Sequence, residues 1–599
     1  MERERLERER AERAERERVE RERVEQERAE QDFLFRRLKP VETGYHREFR
    51  CMDGTRQSLL NQIVEWVANK TGQGNVPQRN TYWIFGLPGI GKTSLAHSIC
   101  ANLHERKHLI GAFFCRRDDL NLSKPINILP TFIHKLSIIF PPFRTIAAKH
   151  LRDDPNLTPE SMEGSHLLDF VKSLPHHPDR TLVFVIDALD ECGNRQNRQD
   201  VLKTLTDAAA LAPWLKIIIT SRPEVDIERF FRGPTSSSYS SYDLATDQEA
   251  NGDLRTFARN QFALVATHWH IRTAWPEESD FNKLISRANG LFIFIKTLTL
   301  ALEECEDAEE SLKEALQGSA GTGLESLYGL YSSILKPHSK NGGLWRMIVV
   351  IITAKDRPLC EEPIAKLTGV KPNLVEKWVD ALSSLLYRDE GANGAIRVRH
   401  LSISDFFLSD RCEYQVNLRE SHAQQGITCL ETMVKGLRFN ICSLEDSRLA
   451  NADISDLPSR VKQNVSEPLQ YSCLHWSDHL CSSATRDERL LVLGGLEKFF
   501  EGLYPLFWIE VLSIMGMLPI GAQSLRRLLS WVRVSTSQLA ASLHSKLIET
   551  GFRMWIQRFL REFRIFAISW SLFTHPSPSA LHTSIFQQDH SCPHSHLYQ

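Results

Sequence analysis

The stretch Ile84–Leu95, IFGLPGIGKTSL, decides the fold of this chain. Three glycines and a proline occupy six residues, and Lys-Thr-Ser follows at once. Residues 86–93 fit the pattern G-x-x-x-x-G-K-[ST] in full, and Ser94 follows. Glycines let successive backbone N–H groups turn inward around a phosphate, and the dipole of a following helix adds positive potential. The stretch therefore predicts a strand, a phosphate-binding loop and a helix that begins near Thr93.

The residues of this loop have distinct expected roles. Gly86, Gly89 and Gly91 provide the backbone freedom. Lys92 is expected to reach the β- and γ-phosphates as a point charge, and Thr93 to offer its hydroxyl to Mg²⁺. A chance glycine-rich turn is the alternative, which the flanking strand and helix patterns disfavour. The predicted ligand is a nucleotide, ATP or GTP, with Mg²⁺; the sequence does not discriminate between the two nucleotides.

Working outward, four apolar runs predict a parallel sheet. They begin at Tyr82 (YWIFG), and continue with Leu109–Cys115, Thr181–Asp187 and Leu215–Thr220, with helical stretches between them. Continuous apolar strands that alternate with helices are typical of a parallel sheet buried on both faces. The Ser-rich stretch Gly233–Ser241 is expected to be a loop that closes this unit.

Polar residues follow two of these strands at the carboxyl edge of the sheet, where ligands bind in open α/β folds. Asp187 ends the third strand and is expected to hold Mg²⁺ through water. Asp190 and Glu191 follow; a carboxylate there can orient or deprotonate an attacking water, and Glu191 is the favoured candidate. The alternative for both is a helix N-terminus, where acids are common. Arg222, after the fourth strand, could sense a γ-phosphate or simply cap a helix at the surface.

The composition is that of a globular protein. The 599 residues are 42% apolar and 25% charged with a net charge of −2, so no global field attracts nucleic acid or anionic membranes. Twelve scattered cysteines and a charged N-terminus predict a cytoplasmic protein. The most membrane-like stretch, Leu503–Ala522, carries Glu510 and Pro519, so we expect a buried helix and no membrane span.

The first 33 residues consist mainly of Glu and Arg. The pairs Glu4–Arg8, Glu9–Arg13 and Glu17–Arg21 have the stabilising i,i+4 orientation. The few apolar residues recur mostly every five positions, which is not a heptad, so no continuous coiled-coil seam is expected. We predict a solvated, partly stable charged helix; a weak oligomerising arm is the alternative.

Beyond residue 245 the pattern is mainly helical. Residues 373–386 place four apolar side chains on one helical face, namely Val375, Val379, Leu382 and Leu386. The following YRDEGANGAIRVRHL predicts a Gly-turned hairpin, so helices and hairpin together suggest a winged-helix module near 340–412. The helix carries one lysine against Glu376 and Asp380, which argues against a nucleic-acid partner.

Two histidine-containing stretches could hold a metal. His475 and His479 lie one helical turn apart in Cys473–Cys481, but Cys473 is two residues from His475 and points elsewhere on a helix. Packing is therefore the favoured interpretation over zinc. The tail HSCPHSHLYQ is a weak metal-binding tract by composition alone.

Three motifs in order, GLPGIGKTS, FVIDALDEC and TSRPE, resemble the fungal NACHT-type signal-transduction P-loop NTPases, which have a nephrocystin-like NTPase region and are related to heterokaryon-incompatibility proteins. The similarity continues outward over about residues 35–570. CMDGTRQSLLNQIVEWV looks like the family's helix before the core, and RANGLFIFIKTLTLAL like its first helical domain. IRVRHLSISDFFLSD looks like its winged helix, and YSCLHWSDHL like its second helical domain.

The resemblance implies a switch between a closed ADP-like state and an open ATP-like state that oligomerises. Matched residue by residue, Lys92, Thr93 and Ser94 would hold phosphate and metal, Asp187 the metal, and Arg222 the γ-phosphate. The family's usual C-terminal repeats, and an enzymatic or death-fold effector before Leu38, are not recognised in this sequence.

His400 falls where the family's winged-helix histidine touches the bound diphosphate. The alternation of Ile396, Val398 and His400 predicts one inward face of a strand. The alternative is a satisfied core histidine.

We therefore expect a nucleotide-binding switch with slow NTP hydrolysis that controls self-assembly in signalling or an incompatibility response, with a protein partner still to be identified. A non-hydrolysing scaffold, a P-loop kinase and a nucleic-acid-dependent ATPase are the alternatives. The expected fold class is multidomain α/β plus α. Its parts are a charged arm (1–33), a helix and linker before the core (34–80), the P-loop core (81–245), a helical domain (246–335), a winged helix (336–414), a second helical domain (415–572) and a disordered tail (573–599).

Overall fold

The computed structural model describes residues 2–68, 79–162, 164–174, 178–233, 239–247, 249–272, 275–317, 321–354, 358–389, 394–446, 449–482, 494–500 and 502–539. The chain folds into two compact units. The first contains residues 1–340, 354–358 and 379–413, and the second contains 341–353, 359–378 and the chain from 414 onward. The predicted tail, 573–599, lies outside the described residues.

A five-stranded parallel sheet forms the centre of the first unit. Its strands are β1 (Thr81–Phe85), β2 (Leu109–Phe114), β3 (Leu182–Asp187), β4 (Leu215–Ser221) and β5 (Tyr239–Asp243), in the spatial order β2-β3-β4-β1-β5. Every residue of β1, β3 and β4 is buried, as expected for parallel strands covered on both faces. The four apolar strands and the α/β class are thus confirmed.

The fifth strand corrects the sequence prediction. Residues 239–241 were expected to lie in a loop, but they pair with residues 81–83 of β1. β5 is an edge strand and only partly buried, so the polar sequence YSSYD is sufficient there. Apolar patterning therefore could not reveal it.

Helices surround this sheet and continue beyond it. Those around the sheet are α1 (Glu2–Leu38), α2 (Gln57–Ala68), α3 (Lys92–Glu105), α4 (Ile128–Ile139), α5 (Pro141–Asp153), α6 (Gly164–Lys172), α7 (Arg195–Leu211) and α8 (Val225–Arg232). The predicted first helical domain contains α9 (Ala250–His268), α10 (Glu278–Ala288), α11 (Phe292–Glu304), α12 (Ala308–Gln317) and α13 (Leu324–Leu335).

Helix α1 is exposed in its middle part and anchored at its C-terminal end. Residues 13–26 are exposed, in agreement with a solvated charged helix. Leu34 and Leu38, however, are fully buried in the core of the first unit. The buried Arg144 of α5 lies 3.5 Å from carboxylate oxygens of both Glu27 and Glu30. The solvated helix predicted for residues 1–33 is therefore wrong only near its end, where Glu30 is buried. Leu34 and Leu38 lie beyond that prediction, in a continuation of the same helix that supplies apolar side chains to the core.

The ion pairs along the exposed part of α1 differ in detail from those predicted. Glu17 accepts from the side chain of Arg13 at 3.1 Å, whereas Arg21 Nε donates to the main-chain oxygen of Glu17 at 3.4 Å. Arg23 contacts both Glu20 and Glu27. The pairs Glu4–Arg8 and Glu9–Arg13 include side chains outside the described part of the chain.

The second unit is helical. It contains α14 (Gly342–Thr353), α15 (Glu361–Thr368), α18 (Leu418–Gly436), α19 (Leu457–Asn464), α20 (Glu467–Ser482) and two further helices, Tyr504–Ile514 and Leu518–Leu539. Trp476 and Trp508 are fully buried in its core, and Trp508 Nε1 donates to Cys473 O at 2.8 Å. The predicted winged-helix segment is divided. Its first helices lie in this unit, and its hairpin lies in the first unit.

The apolar stretch 503–522 is broken into two helices around residues 515–517. Glu510 accepts hydrogen bonds from the backbone N–H groups of Asn440 and Ile441 at 3.1 and 3.0 Å, which explains a carboxylate within an apolar run. Among the described residues, no helix combines the length and the apolar character needed to cross a bilayer.

The histidines of α20 take part in packing. His479 Nε2 and the hydroxyl of Tyr471 are 2.7 Å apart, and His479 Nδ1 lies 2.9 Å from His422 Nδ1. The ring of His475 packs on that of Tyr471 at 4.8 Å. Within the described ranges, no group of three or more His, Cys, Asp or Glu side chains is arranged to hold a metal by itself.

Helix α16 (Pro372–Ala381) is shorter than predicted. Leu382 to Leu385 form a turn, and Leu386 begins strand β6 (Leu386–Asp389), which pairs antiparallel with β7 (Ala395–Val398). Leu386 is nevertheless buried. The predicted hairpin is present, and the winged helix as a module stays a prediction.

Candidate functional site

The phosphate-binding loop of the sequence forms a strand–loop–helix turn at the carboxyl edge of the sheet. Gly89 and Gly91 have φ angles of 80° and 95°, in the left-handed region that side chains rarely adopt. A Cβ atom on Gly89 would lie 2.1 Å from Ile293 Cγ2 of α11. The N–H of Ile293 donates to Gly89 O at 3.2 Å, so the helical domain contacts the loop directly.

Lys92 is the first residue of α3, with Gly91 as its N-cap. Its Nζ donates to Gly86 O at 2.8 Å and Leu87 O at 2.9 Å, which curls the loop around the ammonium group. Burial lowers the pKa of Lys92 to about 8, and the charge of Asp190 opposes this change. A buried cation beside backbone N–H groups and a helix N-terminus fits a phosphate.

The two expected magnesium ligands lie together. Asp187 ends β3 and is 2% exposed. Burial raises its pKa, and hydrogen bonds from the hydroxyls of Thr220 and Thr93 oppose this. Thr93 and Ser94 follow Lys92 in the first turn of α3, and Thr93 is exposed. Carboxylate and hydroxyl oxygens are ligands that Mg²⁺ accepts, so these residues fit the ion.

The order of the strands determines which residue lies beside the loop. β4 lies between β1 and β3, so Arg222, which follows β4, lies between the end of β1, where the loop begins, and the end of β3, where Asp187 stands. There the N–H of Arg222 donates to Asp190 Oδ1 at 2.9 Å, and Arg222 Nε lies 3.3 Å from Asp190 Oδ2. Asp190, predicted as a possible catalytic residue beside Glu191, thus holds Arg222 in place.

Glu191 is less constrained than its neighbour. It is partly buried, and the N–H of Arg117 donates to its Oε2 at 3.4 Å. Burial, with the nearby charge of Asp190, raises the pKa of Glu191 to about 7. A carboxyl group whose pKa lies near the working pH is suited to general base catalysis.

A buried ion pair contacts the turn that carries Asp190. Arg198 of α7 forms a two-pronged contact with Asp226 of α8, at 3.0 and 3.1 Å, and donates to Asp190 O at 3.1 Å. Sequence analysis did not identify this support, because both residues look like surface charges on amphipathic helices.

His400 lies close to the loop, but its local structure differs from the prediction. β7 ends at Val398, and His400 is the N-cap of α17 (Leu401–Leu408) with φ −152° and ψ 144°. The alternation with Ile396 and Val398 therefore does not extend to it. Its Cε1 lies 3.8 Å from the point where a Cβ atom on Gly89 would stand. The turn after the hairpin, and not a strand face, brings the ring to the loop.

Hydrogen bonds determine which ring nitrogen of His400 carries the proton. The N–H of Ser402 donates to His400 Nδ1 at 3.1 Å, so in the neutral ring the proton is on Nε2. Ser402 Oγ lies 2.6 Å from the same nitrogen and 2.8 Å from the hydroxyl of Tyr331. Burial, together with the charges of Lys92 and Arg222, lowers the pKa of His400 to about 3. The ring is thus a neutral donor.

Sequence analysis also missed two ion pairs at this site. Arg222 Nη1 donates to Asp405 Oδ2 of α17 at 2.7 Å. Arg56, which precedes α2, is 3% exposed, donates to Ile90 O at 3.1 Å and pairs with Asp247. Its guanidinium also lies 5.5 Å from the centre of the Phe292 ring. The only sequence signal for Arg56 is its place in the GTR motif.

Comparison with known proteins extends these observations. Residues 54–222 match the family described as nephrocystin 3, N-terminal. This range contains the loop, Asp187, Glu191 and Arg222. The vegetative incompatibility protein HET-E-1 of Podospora anserina is 25% identical over 542 residues, which cover 84% of this chain. The predicted resemblance is confirmed. The match covers 37% of the length of HET-E-1, so the chain spans little more than a third of that relative.

Two solved structures show a weaker overall likeness. One is a signal transduction ATPase with numerous domains that has a tetratricopeptide repeat sensor, from Pyrococcus horikoshii; it is 14% identical, with a TM-score of 0.34, over 87% of this chain and 71% of that one. The other is a RuvB mutant of Thermotoga maritima, 12% identical with a TM-score of 0.23, over 57% of this chain and 91% of that one. Neither likeness is strong enough to locate site residues.

Proposed function

We propose that this protein is a nucleotide-dependent switch that hydrolyses ATP or GTP slowly and controls self-assembly in a signalling or incompatibility response. The observation that carries this proposal is the position of His400, whose Cε1 lies 3.8 Å from where a Cβ on Gly89 would stand. A loop that only served catalysis would not require the N-terminus of α17 to lie against Gly89. The HET-E-1 relationship supports a role in incompatibility.

Each residue of the site has a role in this function. Backbone N–H groups of the loop and Lys92 bind the phosphates. Thr93 and Asp187 would hold Mg²⁺, which when bound would neutralise charge on the phosphates. Glu191 orients the attacking water and accepts its proton. His400 donates from Nε2 to the β-phosphate without adding a charge.

The decisive experiment is to identify the nucleotide. We expect denatured, purified protein to release a nucleoside diphosphate that chromatography identifies. Lys92→Ala should release little or none, because its ammonium is the main side-chain charge on the phosphates. Lys203→Ala removes an exposed lysine paired with Asp207 on α7 and is the matched control. Equal nucleotide content in Lys92→Ala and wild type would refute the phosphate site.

Turnover separates the switch from its alternatives. Wild type should hydrolyse nucleotide slowly, and Glu191→Gln should bind it equally well but hydrolyse it more slowly still. Absence of hydrolysis in wild type favours a non-hydrolysing scaffold. Sedimentation in the presence of diphosphate or of a non-hydrolysable triphosphate tests self-assembly, which should occur only with the triphosphate.

A further inference from the structure

The carboxylate of Asp405 forms an ion pair with the guanidinium of Arg222 at the edge of the proposed phosphate site. Asp405 lies in the middle of α17, and its Oδ2 accepts from Arg222 Nη1 at 2.7 Å. The two side chains are 23% and 17% exposed, so water screens this pair less than a surface pair. Arg222 is also held by Asp190. The two carboxylates thus contact the guanidinium through two of its nitrogens, Nε and Nη1.

Arg222 lies where a third phosphate would need it. It follows β4, which is the neighbour of β1 in the sheet, and its charge helps to lower the pKa values of Lys92 and His400. Ser221 pairs with Phe85, the residue before the loop, so the side chain of Arg222 starts beside the loop and can extend toward a terminal phosphate bound there. The only change required is that its Nη1 exchanges one anion for another.

We propose that Asp405 determines the discrimination between nucleoside diphosphates and triphosphates by competing with the terminal phosphate for Arg222. This inference rests on the proposed function. A γ-phosphate is an anion at the same guanidinium edge, so it repels Asp405 while it attracts Arg222. With a diphosphate, Asp405 keeps Arg222 and α17 stays closed over the loop. With a triphosphate, α17 loses its central ion pair.

Helix α17 carries both the residue that faces the loop and the residue that pairs with Arg222. His400, the N-cap of α17, faces the loop, and Asp405, one turn further, holds Arg222. Phe406 and Phe407 are buried beside Asp405 and fix the helix against its own unit. Loss of the ion pair between Asp405 and Arg222 is therefore expected to let α17 move, and His400 with it. Asp405 is a positioning residue, because it acts on the nucleotide only through Arg222.

The test is the affinity of the full chain for ADP and for a non-hydrolysable ATP analogue, each with Mg²⁺, by calorimetric titration. Asp405→Asn keeps the shape and removes the charge. It should raise the ratio of triphosphate to diphosphate affinity about fivefold or more, the lower end of usual coupling between sites. Asp405→Ser should also raise this affinity ratio, whereas Asp405→Glu, which keeps the charge, should have a ratio close to that of wild type.

Two controls isolate the pair. Glu325→Gln breaks the exposed Glu325–Arg411 ion pair, which ties the chain just beyond α17 to α13, and should leave the ratio unchanged. In an Arg222→Gln background, Asp405→Asn should have no further effect on the ratio, because the partner is gone. Hydrogen exchange of residues 401–408 in nucleotide-free protein should be faster in Asp405→Asn than in Glu325→Gln.

The outcomes are distinct. If wild type binds both nucleotides and Asp405→Asn, folded by thermal melting, has the wild-type ratio, the competition is refuted while the proposed function stands. The same holds if Asp405→Asn changes the ratio equally in the presence and absence of Arg222. If wild type binds neither nucleotide, the proposed function itself fails and this inference fails with it.

Discussion

His400 caps α17 in this structure, and the proposed function adds a second role as a donor to phosphate; two substitutions can distinguish them. Its Nδ1 caps α17 by accepting from Ser402 N, and its Nε2–H is available to a phosphate. His400→Leu removes both functions. His400→Asn keeps a side chain that caps helices well but is too short to reach the loop in the same way. The pair thus separates helix capping from nucleotide binding.

The magnitudes follow from these two contacts. Loss of an N-cap costs about 0.5–2 kcal/mol of stability. The His400→Leu variant should therefore have a lower melting temperature than the His400→Asn variant. Loss of a hydrogen bond to a charged phosphate costs roughly 1.5–3 kcal/mol, which is about ten- to a hundred-fold in affinity. Both variants should therefore lose diphosphate affinity by that factor and lose little triphosphate affinity, because the open state does not use this donor.

Calorimetric titration of ADP and a non-hydrolysable ATP analogue on wild type and both variants is the assay, with thermal melting alongside. If His400 is only a core residue, His400→Leu lowers the melting temperature and the ratio of the two affinities stays constant in both variants. That constant ratio would refute the reasoning, whatever the effect on stability.

Four further predictions can be checked separately. The hydrolysis rate should rise with pH through about 7, the pKa to which burial raises Glu191, and Glu191→Gln should lack this step in a pH–rate profile. The pKa of His400 is lower in the folded protein than its ordinary value, so the unfolded chain binds more protons between about pH 3 and 6.5. The unfolding free energy should therefore fall on acidification below pH 6.5, with a shallower slope in His400→Asn; equal slopes in denaturant titrations would contradict this. Gly89→Ala places a Cβ 2.1 Å from Ile293 Cγ2 at a positive φ, and should cost about 1–3 kcal/mol of stability; Gly369→Ala, with positive φ but open space, should cost less. A peptide of residues 1–31 should lose helicity with added salt in circular dichroism, and deletion of those residues should leave nucleotide affinity unchanged; a salt-independent spectrum would contradict the ion-pair account.

The conformation of the glycine-rich loop was predictable from the sequence because it depends on contiguous residues. Glycine spacing, an apolar run before it and a helix after it are local features, and the loop needs no distant partner to take its shape. For the same reason the apolar strands could be found, since each is buried on both faces whatever its neighbours are. The polar edge strand β5 lacks this property and was missed.

Contacts between distant residues required the tertiary structure. Arg222 and Asp405 are separated by 183 positions, and no local pattern in TSRPE or in LSISDF distinguishes that pair from two surface charges. The position of His400 is a further example. The sequence placed it on a strand by alternation, whereas the strand stops two residues earlier and the ring reaches the loop from a helix N-cap.

The sequence by itself determined a glycine-rich strand–loop–helix turn, a buried parallel sheet and a charged N-terminal helix. Only the tertiary structure decided the strand order, which places β4 between β1 and β3 and so brings Arg222 to the loop. It also decided which part of α1 is buried, because Leu34 and Leu38 at its C-terminal end pack into the core. The physical reason is that periodicity and propensity act within a few residues of the chain, whereas strand order and ion pairing depend on which distant surfaces pack together.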